Sequence, residues 1–390
     1  MSNTTPSFTF VHSNRRVIAA WGALKRLPDL MLEHGAQRAA VVMDGYFRGS
    51  EVARRIEAML PVAGAKPVFH FVPPEEPDTA SIEACAAALA AVAPDCIIAV
   101  GGGSAMDTAK VARLMLANPG DAESVSGFGK RFLPHGSLLI AVPTTAGTGS
   151  EVSESAVAGR SGSDIKLIFR SPEMTPQIAL LDASLSVSAP AKVTAASGYD
   201  AITHAVEAYV SNAASAMSDP FAESALRLLA TWLPVAYGDP GHALARHHCL
   251  VASCQAAIAF NSANLGLAHA FAAPLGALFH VPHGLANALA LPVVAAYNEP
   301  AMGAKAQVIA EAFGSAGASE GLARVRRALG LDLSLDEFVP DDTAREQLAQ
   351  AAMRSGQVKM NPRLATLDHV RAMIQAMRTP TGDAAPVLSI

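Results

Sequence analysis

Short apolar runs rich in β-branched residues alternate with alanine-rich segments of helical spacing over the first half of the chain. The runs that we predict as strands are residues 38–43, 66–72, 95–100, 138–142 and 177–181. Strands that alternate with helices are typical of βαβ units and of a mostly parallel sheet. This half of the chain is therefore predicted to be an α/β domain.

The strand pattern fades after Ala189 and Pro190. From Ala191 to about Met377, long segments with helical spacing dominate the sequence. The length of 390 residues is sufficient for two hydrophobic cores. We predict an α/β domain over residues 1–188 and an all-helical domain over residues 189–390.

Composition and charge limit the partners that we expect. The formal net charge is −5 and no run of Lys or Arg occurs, so neither nucleic acid nor an anionic membrane is an expected partner. No apolar stretch reaches the roughly 18 uninterrupted residues of a membrane span. Met1–Phe10 lacks the features of a secretory signal, and the four cysteines form no Cys-x-x-Cys pair. We therefore expect a cytoplasmic protein with reduced thiols.

A predicted strand, a glycine run and a predicted helix follow one another in residues 95–110. Gly101, Gly102 and Gly103 allow the backbone to come close to an anion. The helix that we expect to begin near Ser104 offers free N–H groups, which suits a pyrophosphate. The run is not the Gly-x-Gly-x-x-Gly dinucleotide motif. A tight strand-to-helix turn without a ligand is the alternative.

Two further segments favour a dinucleotide. Asp44 follows the predicted strand 38–43, where a carboxylate can accept hydrogen bonds from ribose hydroxyls. An aspartate there repels a 2′-phosphate and favours NAD, although the nearby Arg48 leaves NADP as an alternative. Residues 143–151 form a hydroxyl-rich loop directly after the predicted strand 138–142. This loop is expected to line a phosphate or the nicotinamide.

Four side chains in the helical half have the chemistry of a metal site. Asp200 and His204 are four residues apart, which places them on one face of a helix. His269 and His283 follow on later segments. One carboxylate and three imidazoles can hold a divalent metal and leave a position open for a substrate.

Each of these histidines also has a structural alternative. A single histidine in an apolar helix is often a hydrogen-bonded core residue without a ligand. A second group contains His242, His247, His248 and Cys249. Because it lies beside a Gly-Asp-Pro-Gly turn, we interpret it as the solvated start of a helix.

These segments together resemble the iron-containing (group III) alcohol dehydrogenases. The resemblance rests on four segments in the family's order, residues 101–110, 143–151, 198–207 and 269–284, and extends from about Val41 to Asn298. It implies a Rossmann-like α/β N-terminal domain, an all-α C-terminal domain and the dehydroquinate synthase-like architecture, with the active site between the domains. It also implies a homodimer.

The resemblance implies a site as well as a fold. Its metal ligands are Asp200, His204, His269 and His283, with iron(II) as the usual ion and zinc as a frequent substitute. The implied reaction is hydride transfer between NAD(P)(H) and a small alcohol or aldehyde. The implied cofactor contacts are Asp44, Gly102, Gly103, Ser104, Asp107, Thr144, Thr145, Thr148, Lys166 and Leu185.

One position departs from the family pattern. Many family members have a second histidine four residues after the third ligand, where this chain has Ala273. We predict His283, Phe260 and His280 as catalytic residues. His280 would replace the missing histidine, and Phe260 would form an apolar substrate wall. Helix capping is the alternative for His280, and core packing is the alternative for Phe260.

Other functions compete with the dehydrogenase. A hydroxyacid–oxoacid transhydrogenase recycles a bound cofactor between two substrates. A dehydroquinate synthase-like lyase also combines NAD with a metal, and a metal or nucleotide sensor would bind both without turnover. A maleylacetate-type reductase is disfavoured because Asp200 and the three histidines are all present. The specific alcohol, the native metal and the physiological direction stay open.

Overall fold

The structure is a computed structural model that describes residues 9–10, 16–60, 66–73 and 77–379. Most of Met1–Phe10, for which we predicted no secretory signal, lies outside the described residues. The described residues form two compact units. The described residues within 16–193 and 239–254 form the first, here called the α/β unit, and residues 9–10, 194–238 and 255–379 form the second, here called the helical unit. The predicted boundary between residues 188 and 189 stays a prediction.

The α/β unit is built on a parallel sheet of six strands in the order β1-β8-β5-β4-β2-β3, and a separate antiparallel pair, β6 and β7, lies outside it. Its helices are α1 (Leu27–Glu33), α2 (Glu51–Met59), α3 (Thr79–Val92) and α4 (Gly103–Ala117). Its strands are β1 (Arg16–Ala19), β2 (Ala39–Asp44), β3 (Val68–Val72), β4 (Cys96–Gly101), β5 (Leu138–Pro143), β6 (Ser155–Gly159), β7 (Lys166–Arg170) and β8 (Ile178–Leu181).

The central strands are buried on both faces, which explains their continuous apolar runs. Val41 and Met43 of β2 pack in one core that also contains residues of α1 and α2. Val42 packs in a second core with Ala105 and Ala109 of α4. From β2 the chain continues to β3, toward one edge of the sheet, whereas from β4 it continues to β5, toward the other edge. In sheets of this kind, ligands bind at the carboxyl ends of the strands where the connections diverge.

All five predicted strands are confirmed, with ends that differ by at most two residues. The sequence analysis missed β1, β6 and β7. β1 is a four-residue strand at the edge of the sheet, with mostly exposed residues. β6 buries only small side chains, those of Ala156 and Ala158. Neither β1 nor β6 therefore has a strong apolar signal in the sequence.

Helices follow one another from Ala191 to Met377, as predicted. Residues 198–210 of α5 are all buried, so this helix runs through the core of the helical unit. The first twelve residues of α7 belong to the α/β unit. The helices are α5 (Ala191–Val210), α6 (Asp219–Gly238), α7 (Ala243–Ala263), α8 (Leu267–Phe279), α9 (His283–Met302), α10 (Ala304–Ala312), α11 (Ala318–Ala328), α12 (Asp342–Met353) and α13 (Leu367–Met377).

No single helix in the described part of the chain is long and apolar enough to cross a membrane. The helices α7 and α8 meet the length and composition criteria only as a pair, and the pair is bent by 103°. Buried core helices commonly meet the same criteria.

Candidate active site

Four predicted metal ligands come together in the helical unit. Asp200 and His204 lie one turn apart on α5, His269 lies on α8, and His283 is the first residue of α9. One donor atom from each lies within 4.8 Å of all the others. The Asp200 Oδ1 is 3.8 Å from Nε2 of His204, 3.7 Å from Nε2 of His269 and 3.5 Å from Nε2 of His283. This donor set fits a divalent cation.

Burial differs among the four side chains. Those of Asp200, His204 and His269 are at most 6% exposed, whereas that of His283 is 45% exposed. The cluster is therefore enclosed on one side and reached by solvent at His283. This is the arrangement that a site needs if it is to hold an ion and also accept a small molecule.

The electrostatics of the cluster favour an ionised carboxylate. Burial acts to raise the pKa of Asp200, but the nearby imidazoles of His204, His283 and His269 hold that pKa well below its usual value. Burial acts to lower the pKa of His269, but the nearby Asp200 carboxylate and a hydrogen bond with Glu207 raise it to about 9. Asp200 is thus available as an anionic ligand throughout the neutral pH range.

Two further polar side chains contact the ligands, and the sequence analysis gave them no role. Glu207 Oε2 lies 2.7 Å from His269 Nδ1, and Glu207 Oε1 accepts a hydrogen bond of 2.6 Å from the Ala268 N–H. The Asn287 amide nitrogen donates to Asp200 Oδ1 at 2.6 Å and lies 3.3 Å from His283 Nε2. Asn287 Oδ1 is buried and has no hydrogen-bond partner among the described residues. The four ligand atoms therefore lie beside a polar side chain, Asn287, whose oxygen is an unused hydrogen-bond acceptor.

The other predicted catalytic residues lie at different places. The Phe260 ring is 4.8 Å from the His204 ring, measured between centroids, so Phe260 borders the cluster. His280 is an exposed residue in the left-handed conformation at the C-terminal end of α8, and its N–H bonds to the Leu275 carbonyl. None of the contacts described for His280 reaches the four ligands. Ala273 is exposed on α8, one turn after His269.

Within the second histidine group, His242 has a structural role at a helix start, whereas Cys249 is buried within α7. His242 lies immediately before α7, and its Nδ1 accepts a hydrogen bond of 3.2 Å from the Ala245 N–H. His242 therefore caps the helix start.

The predicted dinucleotide residues lie at the carboxyl ends of β2, β4 and β5. Gly101 has a φ of 152°, and a Cβ there would lie 2.8 Å from the Ala105 Cβ and 2.9 Å from the Asp44 Cβ. Only glycine permits this packing, which places Asp44 beside the glycine run. Gly102 precedes α4 and provides no side-chain cap, so the first N–H groups of the helix are not capped by it. Such a helix start suits an anion.

The hydroxyl-rich loop packs against the same glycines. The Thr144 N–H donates to the Gly101 carbonyl at 2.9 Å. A Cβ at Gly102 would lie 3.6 Å from Thr145 Oγ1, and a Cβ at Gly103 would lie 2.8 Å from the Thr148 methyl carbon. The two predicted phosphate-binding segments are therefore adjacent. Ser104 is the second residue of α4 and lies in its first turn.

Asp107 holds this loop in place. Its Oδ1 accepts a hydrogen bond of 2.5 Å from Ser150 Oγ, and its Oδ2 accepts one of 3.0 Å from the Val157 N–H. The buried Lys110 ammonium donates to the carbonyl and hydroxyl of Ser150 and to the hydroxyl of Ser153. Both carboxylate oxygens are therefore used within the protein, and the cofactor contact of Asp107 stays a prediction.

The last two predicted cofactor contacts differ in exposure. Lys166 is the first residue of β7, and partial burial lowers its pKa. Leu185 is buried in the core that contains α1 and α2. Their contacts with a cofactor also stay predictions.

Comparison with known proteins decides the family. The profile described as "Iron-containing alcohol dehydrogenase" matches residues 14–183, and that described as "Fe-containing alcohol dehydrogenase family, C-terminal" matches residues 194–378. The chain belongs to the iron-containing alcohol dehydrogenase family. The predicted family, the fold class and the activity of a nicotinamide-dependent alcohol dehydrogenase are confirmed by this match and by the relatives below.

Individual relatives of this alcohol dehydrogenase agree. The NAD-dependent methanol dehydrogenase of Bacillus methanolicus is 32% identical over 91% of this chain and 96% of its own length. The probable alcohol dehydrogenase EutG of Salmonella typhimurium is 37% identical over 71% of this chain and 70% of its own. A solved 1,3-propanediol oxidoreductase superposes with a TM-score of 0.91 at 30% identity, covering 95% of this chain and 100% of that one.

Proposed function

We propose that this dehydrogenase interconverts a small alcohol and its aldehyde at the site formed by Asp200, His204, His269 and His283, with iron(II) as the ion and zinc as a functional substitute. The observation that carries the proposal is the convergence of four ligand atoms within 4.8 Å of one another. His283, the exposed member, marks the side from which the substrate enters.

The side chains of the cluster bind and orient. A divalent cation held there supplies a Lewis acid that lowers the pKa of an alcohol or polarises a carbonyl. Asp200 would provide the negative charge that attracts the cation, and the three imidazoles would hold it through their ring nitrogens. Phe260 borders His204 and forms an apolar wall that keeps water from the reacting carbon. The proton-carrying role of His280 stays a prediction, since its described contacts do not reach the four ligands.

The α/β unit holds the dinucleotide, whose nicotinamide accepts or donates the hydride. The uncapped start of α4 and the adjacent threonine loop bind its pyrophosphate. Asp44, packed against Gly101, accepts hydrogen bonds from the ribose hydroxyls. Because that carboxylate repels a 2′-phosphate, we propose NAD rather than NADP as the preferred cofactor.

The substrate class is proposed from the site and from the relatives. Relatives named for methanol and for 1,3-propanediol suggest short alcohols. The exposed Ala273, one turn after His269, leaves room near the cluster for a substituent that a histidine would exclude. The same proposal includes a cytoplasmic homodimer, which accords with the family resemblance and with four buried free thiols.

The proposal is tested on protein of measured metal content. We expect methanol, 1-propanol and 1,3-propanediol to reduce NAD faster than NADP, chelation to abolish the rate, and iron(II) or zinc to restore it. Asp200→Asn should lose both metal and activity. Glu223→Gln, which breaks an exposed ion pair with Arg227 on α6, is the matched control and should retain both.

Two results would contradict the proposal. One is full activity in protein from which the metal has been removed. The other is a requirement for a second oxo substrate before any alcohol is oxidised, since a transhydrogenase releases no free NADH from an alcohol alone.

A further inference from the structure

We propose that Glu207 is a positioning residue that fixes the tautomer of His269 and thereby sets the metal affinity of the cluster. This inference rests on the proposed metal site and assigns it a residue outside the ligand set. Glu207 lies three residues after His204 on α5, and its side chain is 4% exposed.

The hydrogen bonds of Glu207 determine which nitrogen of His269 carries the proton. Glu207 Oε2 lies 2.7 Å from His269 Nδ1, and Glu207 Oε1 accepts from the Ala268 N–H at 2.6 Å. An ionised carboxylate only accepts hydrogen bonds, so Nδ1 must be the protonated nitrogen. Nε2 is then the nitrogen that faces the cluster and can bind a cation, and it lies 3.7 Å from Asp200 Oδ1. Glu207 thus presents His269 in the form that binds a metal.

The position of the carboxylate is itself fixed. Gly266 lies just before α8, and a Cβ at that position would lie 3.0 Å from Glu207 Oε1 and 3.2 Å from Asn361 Oδ1. Asn361 is held by a reciprocal amide pair with Asn298, with hydrogen bonds of 2.7 and 2.8 Å. The absence of a side chain at Gly266 therefore allows α8 to begin against the carboxylate, and the amide pair fixes the other side chain that borders Gly266.

The substitution Glu207→Gln separates a positioning role from a role in stability. The glutamine side chain has almost the same shape as the glutamate side chain and can satisfy both neighbours. Its oxygen accepts from the Ala268 N–H, and its amide N–H donates to His269 Nδ1. That second bond requires the proton of His269 to sit on Nε2, which blocks the ligand nitrogen. The metal-free variant should therefore fold normally but bind metal poorly.

The experiment measures the dissociation constant for zinc by competition with a chelating dye, on metal-stripped protein. We expect Glu207→Gln to weaken zinc binding by about 10- to 100-fold, the usual effect of removing a partner behind a ligand histidine. The thermal midpoint of the metal-free variant should stay close to wild type. Gly266→Ala should weaken binding in the same direction, because its methyl group displaces the carboxylate.

A matched control and a spectrum complete the test. Ser211 directly follows α5, and its Oγ donates a buried hydrogen bond to the Ala263 carbonyl. Ser211→Ala removes that bond and should leave zinc affinity unchanged. In cobalt(II)-loaded protein, the d–d absorption should change in Glu207→Gln and not in Ser211→Ala. Wild-type zinc affinity and an unchanged cobalt spectrum in Glu207→Gln would overturn this inference alone. Failure of the wild-type protein to bind zinc or cobalt would overturn the metal site as well.

Discussion

Gly284→Ala should damage the metal site, because the first turn of α9 rests directly on the backbone of α5. A Cβ at Gly284 would lie 2.3 Å from the carbonyl oxygen of Ala196 and 2.7 Å from its carbonyl carbon. Ala196 lies one turn before Asp200, and Gly284 directly follows His283. The contact that would be disrupted is therefore the one that brings the imidazole of His283 to within 3.5 Å of the carboxylate of Asp200.

The size of the effect follows from these distances. Contacts of a Cβ below 3.0 Å essentially never occur, so the two helices must separate by about 0.7 Å locally. Metal–ligand distances tolerate deviations of about 0.2 Å, so a shift of this size should weaken metal binding by at least about tenfold. Overpacking of this kind typically costs about 1–3 kcal/mol of unfolding free energy.

Zinc affinity by dye competition and the unfolding free energy in urea together test this reasoning. Gly276→Ala is the matched control, since it adds the same methyl group to α8, where the nearest atom is the Val281 carbonyl oxygen at 3.5 Å. The control should keep wild-type zinc affinity, and helix propensity should stabilise it by up to about 1 kcal/mol. If Gly284→Ala binds zinc as tightly as wild type and unfolds at the same urea concentration, close approach of the two helices is not what positions His283.

Two further predictions concern the α/β unit. Gly103→Ala places a methyl group 2.8 Å from the Thr148 methyl carbon, which disturbs the contact between the glycine run and the hydroxyl-rich loop. We expect an approximately tenfold higher dissociation constant for NAD in calorimetry and an unchanged metal content. Unchanged NAD affinity would contradict the prediction that these two segments bind the pyrophosphate. Burial raises the pKa of Glu151 from 4.5 to about 7, so the folded state binds its proton more tightly and this group lowers stability as pH rises from about 4.5 to about 7. The stability of Glu151→Gln relative to wild type in urea should therefore increase across that interval, and an equal difference at pH 5 and pH 8 would refute it.

Much of the fold could be predicted because the strongest patterns belong to the most buried elements. β4 and β5 are buried at every position, and their continuous apolar runs identified them. β1 is an edge strand of the six-stranded sheet, and β6 and β7 form a separate pair. Their burial depends on neighbours that are distant in sequence. Hydrophobic periodicity does not report such neighbours, so these strands were missed.

The residues of the candidate metal site likewise include some that the sequence could predict and some that it could not. The four-residue spacing of Asp200 and His204 was sufficient to place them on one face of α5. Spacing along the chain could not bring His269 and His283 to the same point, because this depends on how α8 and α9 pack against α5. Their side-chain chemistry made them candidates, and the family resemblance implied that they join Asp200 and His204. Glu207 and Asn287 were missed although a signal existed. Glu207 is three residues after His204 and Asn287 is four after His283, so each shares a helix face with a predicted ligand.

The charge of the cluster argues against the alternative that these histidines are core residues without a ligand. Asp200 and Glu207 are both buried, and every ion pair found for either of them among the described residues is with a histidine. Two buried carboxylates without a Lys or Arg partner are costly unless another positive charge is present. Core histidines could meet that need only by becoming charged themselves, and the raised pKa of His269 supplies one such charge for two carboxylates. A divalent cation would supply two positive charges and would be bound by neutral imidazole nitrogens, so it would satisfy the carboxylates and the imidazoles together.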